Sequence, residues 1–362
     1  MRKAIFAVLI GTVVIAWLVI PPGMMPTLAS DRPVDPGATR ARLSALARAE
    51  VLVDAPVNRD ISREIAEIHC RYLYTSVSGT TPKFDCTLDD GQRIRVKYGS
   101  RELHAEVATA PLLIALGFGA DEVSMARRVR CYGCPRWPFL SREVAERLQF
   151  DTFLKTHIDY DRYSDFEWVS VERRGPHNEL EFGDQEGWSW HELSVIDPSL
   201  GGATHAEVDA LRLIAMFLNH WDNKASNQSL ICPSLADTDT AIDSNETPKC
   251  DHPLAMMQDV GSTFGPKKVN LRAWSESPVW TDAASCTISM KHLPYRGGTF
   301  QDVGISEEGR RLLSDRLAKV TEPQLTALFT TARFEDVNGW VAAFERRVDA
   351  IAHRPPCPST TY

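Results

Sequence analysis

The sequence lacks internal repeats, low-complexity tracts and any excess of positive charge. Its 362 residues are enough for one large domain or two medium ones, and 43% hydrophobic and 24% charged residues exclude a wholly disordered or collagen-like chain. Only one long apolar run is present, which excludes a polytopic membrane protein. Lys and Arg number 40 against 48 Asp and Glu, a formal charge of −8. Because proteins that neutralise nucleic-acid phosphates are usually basic, we expect no nucleic-acid partner.

The N-terminal segment has no charged residue between Lys3 and Asp31. Two basic residues precede an uncharged run at residues 4–20, and Pro-Pro-Gly follows it. This order is typical of a secretory signal peptide over residues 1–30, and the small residues Ala29 and Ser30 allow cleavage. The run is also almost long enough to span a bilayer, so a retained single N-terminal membrane anchor stays open. In either case the sequence predicts an extracytoplasmic body, periplasmic or secreted.

No cysteine precedes Cys70, and the chain has eight cysteines. An even number in an exported protein predicts disulfides. The disulfide candidates are Cys70, Cys86, Cys131, Cys134, Cys232 and Cys250. Spacing favours two local pairs, Cys70 with Cys86 and Cys232 with Cys250. The remaining Cys-Tyr-Gly-Cys element, at residues 131–134, fits a disulfide, a redox pair or half of a zinc site. Cys232 and Cys250 would supply the other two zinc ligands.

The order of turn signals and hydrophobic periods predicts an α+β fold. Residues 31–60 are expected to form a spacer because their beginning is rich in Pro, Asp, Arg and Gly. Short β-prone runs follow at residues 71–78, 84–88, 93–98 and 167–171, and residues 102–116 have helical spacing interrupted by Pro111. The pattern predicts a helix at residues 205–221, a loop-rich stretch at 261–304 and helices from 307 to 353.

Two elements in the β-rich part have residue types suited to phosphate binding. Gly79 and Lys83 belong to a tight turn between two predicted strands, where backbone N–H groups can cradle phosphate. Lys97 lies on a predicted strand, and Glu106 follows nine residues later on the predicted helix. An inward-facing lysine needs a carboxylate partner to stay charged, and a lysine held in that way can bind nucleotide phosphates. An ordinary turn and a surface lysine are the alternatives.

Two further elements in the helical part carry carboxylate and amide groups. Asp222, Lys224 and Asn227 have the Asp-x-Lys-x-x-Asn spacing of a kinase catalytic loop. A carboxylate at the first position can take the proton of an acceptor hydroxyl, and the amide can coordinate Mg²⁺. Asp259 follows an apolar run and precedes a Gly turn, as a metal-binding Asp does. An Asn-rich helix-capping loop is the alternative for the first element, and Asp302 in a second Asp-Val-Gly is expected in a loop and cap.

Other polar and aromatic residues favour structural roles. His191, His205 and His220 have spacings that match no short zinc motif, so we expect solvated or helix-capping histidines. Trp188, Trp190 and Trp221 are the candidates for a sugar or base platform. Core or lobe-interface packing is the favoured interpretation of these three tryptophans.

Taken in order, these elements resemble the HipA-type kinases, an atypical branch of the protein-kinase-like fold, and more distantly the phosphatidylinositol and secretory-pathway kinases. The resemblance covers roughly residues 70–265. It implies a bilobal fold with a small β-rich N-lobe at about 61–175 and a mostly helical C-lobe at about 176–362. Lys97 would contact the phosphates of ATP and pair with Glu106, and Asp222 would be catalytic. Asn227 and Asp259 would bind Mg²⁺ or Mn²⁺.

The predicted function is an exported, ATP-dependent phosphotransferase acting on a hydroxyl. A protein serine or threonine is the preferred acceptor, and a small molecule or lipid headgroup is the alternative. HipA-type kinases are cytoplasmic and lack these cysteine pairs, so an inactive pseudokinase that docks a partner also stays open. A disulfide-stapled structural or binding domain is the other rival. In a redox protein, the Cys-Tyr-Gly-Cys element would lie beside a thioredoxin-like βαβ pattern. The sequence has no such pattern.

Overall fold

The computed structural model describes residues 35–53, 61–77, 79–174, 179–180, 182–183, 187–233, 250–266, 269–294 and 297–358. The predicted signal or anchor lies outside these residues. Within them, no helix has the length and apolar character needed to cross a membrane. From Gly37 onward the chain forms one compact unit.

Helix α1 (Pro36–Ala47) occupies part of the predicted spacer. Leu46, Ala49 and Val51 are fully buried in the main hydrophobic core. The backbone of Glu50 continues this attachment, since its carbonyl accepts a hydrogen bond from the N–H of Ala255 at 2.8 Å. A proline is well tolerated in the first turn of a helix, so a Pro- and Gly-rich start does not exclude one. Residues 36–53 therefore belong to the folded body and not to the expected spacer.

Five strands form a sheet that closes on itself. They are β1 (Glu64–Leu73), β2 (Lys83–Thr87), β3 (Arg93–Lys97), β4 (Glu122–Tyr132) and β5 (Tyr163–Arg174). The order around the sheet is β1-β2-β3-β5-β4, and the parallel pairing of β1 with β4 completes the closure. Apolar side chains such as Phe84, Val96, Val129 and Phe166 fill the interior as a core of their own. The predicted strand at 71–78 in fact begins earlier and ends at Leu73.

Three helices interrupt the strand sequence: α2 (Glu102–Ala115), α3 (Pro138–Arg147) and α4 (Asp151–Thr156). The predicted interruption at Pro111 does not occur, because α2 continues through it. Buried residues on both sides, including Val107 and Leu113, offset the one backbone hydrogen bond that a proline removes. The helix ends before Gly117, whose φ of +85° suits a glycine.

The remainder of the described chain is mostly helical. Its elements are α5 (His205–Leu218), β6 (Gln228–Ile231), β7 (Leu254–Met257), α6 (Leu271–Glu276), β8 (Thr287–Ile288), β9 (Val303–Gly304), α7 (Glu307–Leu317), α8 (Glu322–Thr331) and α9 (Val337–Ala352). Phe217, Trp274, Phe329 and Phe344 pack their rings together in the main core. The α+β class is as predicted. The stretch expected to be loop-rich also contains α6 and the short β8–β9 pair, with Asp302 just before β9.

All eight cysteines form disulfides. The pairs are Cys70–Cys86, Cys131–Cys134, Cys232–Cys250 and Cys286–Cys357. The two predicted local pairs are therefore present, and the fourth bond joins two cysteines that spacing had left unassigned. Because no thiolate remains and no other group of ligands occurs in the described part of the chain, the zinc alternative is wrong. Four disulfides are consistent with an extracytoplasmic protein.

Candidate functional site

A buried ion pair joins the closed sheet to α2. Lys97, at the end of β3, donates a hydrogen bond from its Nζ to the carboxylate of Glu106. Glu172 on β5 lies 3.4 Å from the same ammonium, and Ser170 Oγ donates to the other oxygen of Glu106 at 3.3 Å. All four residues are buried. The alternative of a surface lysine is therefore wrong.

Burial and the neighbouring charges shift the pKa values in this cluster. Burial alone would lower the pKa of Lys97, but the carboxylates of Glu106, Asp259 and Glu172 raise it above its ordinary value. Burial raises the pKa of Glu106 above its ordinary value, and Glu172 and Asp259 add to the rise while Lys97 opposes it. Lys97 therefore remains protonated at the centre of three acidic side chains.

A second buried lysine lies directly beside the first. Lys83 on β2 is the register partner of Lys97 on β3. Burial and then the charge of Lys97 lower the pKa of Lys83. Gly79 has a φ of +84°, and a Cβ atom there would lie 3.2 Å from Lys83 Nζ, so the turn passes close to the ammonium group. Thr81 fixes this turn to the start of α2, because its hydroxyl donates to the carboxylate of Glu102.

The Asp-x-Lys-x-x-Asn element directly follows α5. Asn219 ends the helix in the left-handed region, with φ +55°, and turns the chain into the loop. Lys224 Nζ lies 3.4 Å from Asp222 Oδ2, and both side chains are partly accessible to solvent. Asn227 is buried and donates from Nδ2 to the backbone carbonyl of Asp222 at 2.6 Å. Within the described residues, Asn227 Oδ1 accepts no hydrogen bond.

The β6–β7 pair brings Asp259 to this loop. The carbonyl of Asn227 accepts hydrogen bonds from the N–H groups of Gln258 at 3.0 Å and Asp259 at 3.2 Å. Burial by itself would raise the pKa of the Asp259 carboxyl, but the positive charges of Lys97 and Lys83 hold that pKa below its ordinary value. Asp259 is therefore ionised between the two lysines and the loop.

The structure thus connects all eight residues that the sequence assigned to nucleotide, metal and catalytic roles. Their order in space is Gly79, Lys83, Lys97 with Glu106, Asp259, Asn227, Asp222 and Lys224. Strands, a helix and a loop far apart in the sequence supply them. The result is a polar cluster in which two buried ammonium groups lie among carboxylates, and in which Asp259 connects them to the Asp-x-Lys-x-x-Asn loop.

Several residues of the site were not predicted from the sequence. Asn223 is fully buried, and its Oδ1 accepts from the N–H groups of Thr299 at 2.9 Å and Phe300 at 3.0 Å, which ties the loop to a distant segment. The expectation that His220 is solvated or capping is wrong, because it is fully buried and burial lowers its pKa to about 4. Glu172 was also missed, although its neighbours in β5 alternate apolar residues at a strand period.

A segment packed against the Asp-x-Lys-x-x-Asn loop holds that loop in place. We call residues 187–192 the strap. Backbone carbonyls of Ala225 and Gln228 lie so close to Gly187 that a Cβ there would sit 2.1 and 2.0 Å from them. Trp188 donates from Nε1 to the carbonyl of Ser229 at 3.0 Å, and the Trp190 ring packs beside His220. The two strap tryptophans are buried core residues, as expected.

Helix α1 holds the strap in place. Arg42 donates to both carboxylate oxygens of Glu192, at 2.7 and 2.6 Å, and to the carbonyl of Gly187 at 3.2 Å. Glu192 also accepts from the N–H of Ser189 at 2.8 Å. The pKa of Glu192 is lowered, because these hydrogen bonds and the charge of Arg42 outweigh burial.

Comparison with known proteins gives structural similarities only. No protein-family model matches the chain, and no curated protein sequence matches it. The chain is similar to the Helicobacter pylori proinflammatory kinase CtkA, with 8% identity and a TM-score of 0.41 over 75% of this chain and 93% of that one. It is also similar to the Golgi casein kinase with Mn/ADP bound, with 12% identity and a TM-score of 0.32 over 88% of this chain and 76% of that one. A second Golgi casein kinase structure gives 12% identity and a TM-score of 0.34 over 92% and 81%.

Proposed function

We propose that the chain is an exported, bilobal, kinase-like phosphotransferase that moves the γ-phosphoryl group of ATP to a hydroxyl of a protein or small molecule. The observation that carries the proposal is the juxtaposition of the buried Lys97–Glu106 pair with Asp259 and Asn227. Phosphoryl transfer depends on positioning and on charge neutralisation more than on covalent chemistry by the protein. A site of this composition can supply both.

The two lysines and the Gly turn would bind the phosphates of the nucleotide. Lys97 stays charged because of its three acidic neighbours, so it can neutralise phosphate oxygens. Lys83 is buried without an ion-pair partner among the described residues, so an incoming phosphate would give its ammonium a counter-charge. Gly79 leaves room for close approach of a ligand to the backbone of the turn.

The donor set at the other side of the site fits Mg²⁺ or Mn²⁺. These ions prefer carboxylate and amide oxygens, and such a metal would neutralise phosphate charge when bound. Asp259 is ionised, and Asn227 is oriented with its amide nitrogen engaged and its oxygen without a hydrogen bond in the described structure. The backbone carbonyl of Asn227 accepts a hydrogen bond from the N–H of Asp259, which holds the two residues close together.

Asp222 would orient the acceptor hydroxyl and take its proton. Its carboxylate is partly accessible to solvent, so an acceptor can reach it. Lys224 lies beside that carboxylate and would neutralise charge on the transferred group. Buried Asn223 would hold the backbone on which both side chains depend.

Thermal unfolding with Mg-ATP or Mn-ATP tests the proposed site. A ligand at about 100 times its Kd stabilises the folded state by roughly 2.7 kcal/mol, so we expect a metal-dependent rise in Tm. Asp259→Asn should abolish the rise. Asp302→Asn is the matched control, because it changes the other Asp-Val-Gly of the chain at a position paired with Lys291.

The outcomes separate the rival functions. Transfer of labelled γ-phosphate, to the chain itself or to a generic protein acceptor, that is lost in Asp222→Asn while the Tm rise remains would support an active kinase. A Tm rise without any transfer would favour the pseudokinase. Folded protein with no nucleotide-dependent rise would overturn the proposal and favour the disulfide-stapled binding domain.

A further inference from the structure

The exposed large apolar residues of the chain are concentrated in one region. Among the described residues, nine large hydrophobic side chains are exposed, and six of them fall between positions 137 and 153. These six are Trp137, Leu140, Val144, Leu148, Phe150 and Phe153. Scattered single apolar residues are ordinary on protein surfaces, but a contiguous group marks a binding surface.

Four of the six, Leu140, Val144, Phe150 and Phe153, line one groove between α3 and α4. The spacing of Leu140, Val144 and Leu148 places them on one side of α3, and buried Ala145 forms part of the groove floor beside them. Phe150 and Phe153, 61% and 57% exposed, stand beside them at α4. Between the two helices lies an open groove of about 620 Å³ with apolar walls. We call this surface the α3–α4 face.

A cavity with two arginines in its lining adjoins the apolar groove. The cavity has a volume of about 310 Å³ and shares Ser141 and Leu154 with the groove. Arg136 and Arg162 line it, and neither has an ion-pair partner among the described residues. The Tyr74 hydroxyl beside it is buried with no hydrogen-bond partner in the described structure.

The carboxylates of the same region form no ion pair with these two arginines in the described structure. Glu146 is bound to Arg142, and Asp151 is bound to Lys155. Asp159 also lines the cavity, and its carboxylate accepts a hydrogen bond from the N–H of Asp161 at 3.1 Å. An apolar groove next to unpaired arginines matches an amphiphile, with a hydrocarbon part and an anionic head.

We propose that the α3–α4 face docks the protein onto the surface of a bilayer that contains anionic phospholipids. Aromatic and aliphatic side chains on short helices, flanked by arginine, are the composition of helices that lie in a membrane interface. The predicted signal or anchor also brings the chain to a membrane during export. The apolar side chains enter the interface, and Arg136 and Arg162 bind lipid phosphates. No residue of the phosphotransfer site takes part, so this inference stands or falls separately.

Vesicle sedimentation tests the proposal. The apolar run at residues 4–20 would itself enter a bilayer, so the assay uses residues 31–362, which contain the compact unit from Gly37 onward. Vesicles of phosphatidylcholine are compared with vesicles that also contain phosphatidylglycerol. We expect binding to the anionic vesicles at least about tenfold stronger than to the neutral ones, and weaker at high salt.

Paired variants identify the surface. Phe150→Ser with Phe153→Ser should reduce binding by about tenfold or more. Val195→Ser with Leu200→Ser removes two exposed apolar residues elsewhere and should leave binding unchanged. Arg136→Gln with Arg162→Gln should abolish the preference for anionic vesicles. All the apolar positions changed are exposed, so we expect the variants to fold normally. Unchanged Tm values will show that they do.

Three results would overturn the proposal. The first is folded protein that binds neither kind of vesicle. The second is vesicle binding that the phenylalanine variant leaves intact. The third is a dimer in analytical ultracentrifugation that this variant dissociates, since the face would then be covered by a second copy.

Discussion

Lys83 and Lys97 are neighbours on adjacent strands, but their surroundings differ. Lys97 is bonded to Glu106 and close to Glu172, so its removal would leave two buried carboxylates without a counter-charge. Lys83 has no bonded carboxylate among the described residues, and its burial disfavours the charged form. Lys97 therefore stabilises the unliganded fold, and the buried charge of Lys83 destabilises it.

Substitution of each lysine by methionine should separate these effects. We expect Lys97→Met to lower the free energy of unfolding by about 3–5 kcal/mol, the usual result of breaking a buried ion pair. Lys83→Met should leave that free energy unchanged or raise it, because methionine occupies similar space without a buried charge. Urea unfolding measures both. Equal destabilisation by the two substitutions would contradict the argument.

His220 should make stability depend on pH. Its pKa is about 4 in the folded protein, because burial disfavours the charged imidazole, and about 6.5 when unfolded. Between these values the unfolded chain binds more protons, so the contribution is complete above pH 6.5 and is lost as the pH falls towards 4. The loss amounts to about 3 kcal/mol.

Urea unfolding at pH 7 and at pH 4.5 measures this contribution. His220→Gln should lose less stability than the wild type over that interval. His205→Gln is the control, since His205 is exposed at the start of α5. If both variants follow the wild-type pH dependence, His220 is not the source.

At the scale of elements, α1 acts on the loop through the strap. Arg42→Ala would leave Glu192 partly buried without its bidentate partner. We expect a loss of about 3 kcal/mol and a Tm lower by several degrees. Arg40→Ala on the same helix changes an exposed arginine and should leave Tm unchanged. Hydrogen exchange at residues 222–228 should also accelerate in Arg42→Ala alone, and equal exchange in the two variants would contradict a role for the strap.

The elements that the sequence predicted are those with a clear local signal. Strand-prone runs and helical periods lie within short windows, so β2, β3, α2 and α5 begin at or within one residue of the predicted positions. β4 has no simple alternation, because the four residues from Val123 to Ala126 are all buried and the next two, Arg127 and Arg128, are both exposed. The parallel pairing of β1 with β4 involves partners 61 residues apart, such as Glu64 and Met125, and no local pattern encodes it.

The same distinction applies to the candidate site. Lys97 and Glu106 are close in sequence, so strand and helix geometry were enough to suggest their contact. Asn223 meets Thr299 across 76 positions, and His220 becomes buried only when the strap packs against it. These contacts arise from tertiary packing, so their residues looked like ordinary polar side chains in the sequence.

At the scale of the whole molecule, the four disulfides should differ in their contributions to stability. In the chain-entropy model a cross-link stabilises more when it closes a longer loop. Cys286–Cys357 closes a loop with a separation of 71 residues, and Cys131–Cys134 one of 3. We expect replacement of the first pair by serine to cost about 4 kcal/mol and replacement of the second about 2 kcal/mol. Urea unfolding of the two double variants tests the order, which a larger loss for the short loop would contradict.

Two of these disulfides lie side by side in the closed sheet. Cys70 on β1 is the register partner of Cys131 on β4, so a sulfur of each bond faces the other across one strand spacing. A single thiolate released in this region has a second disulfide within reach of attack. Partial reduction should therefore yield scrambled isomers that join β1 to β4, and a disulfide isomerase should speed the return to the native connectivity.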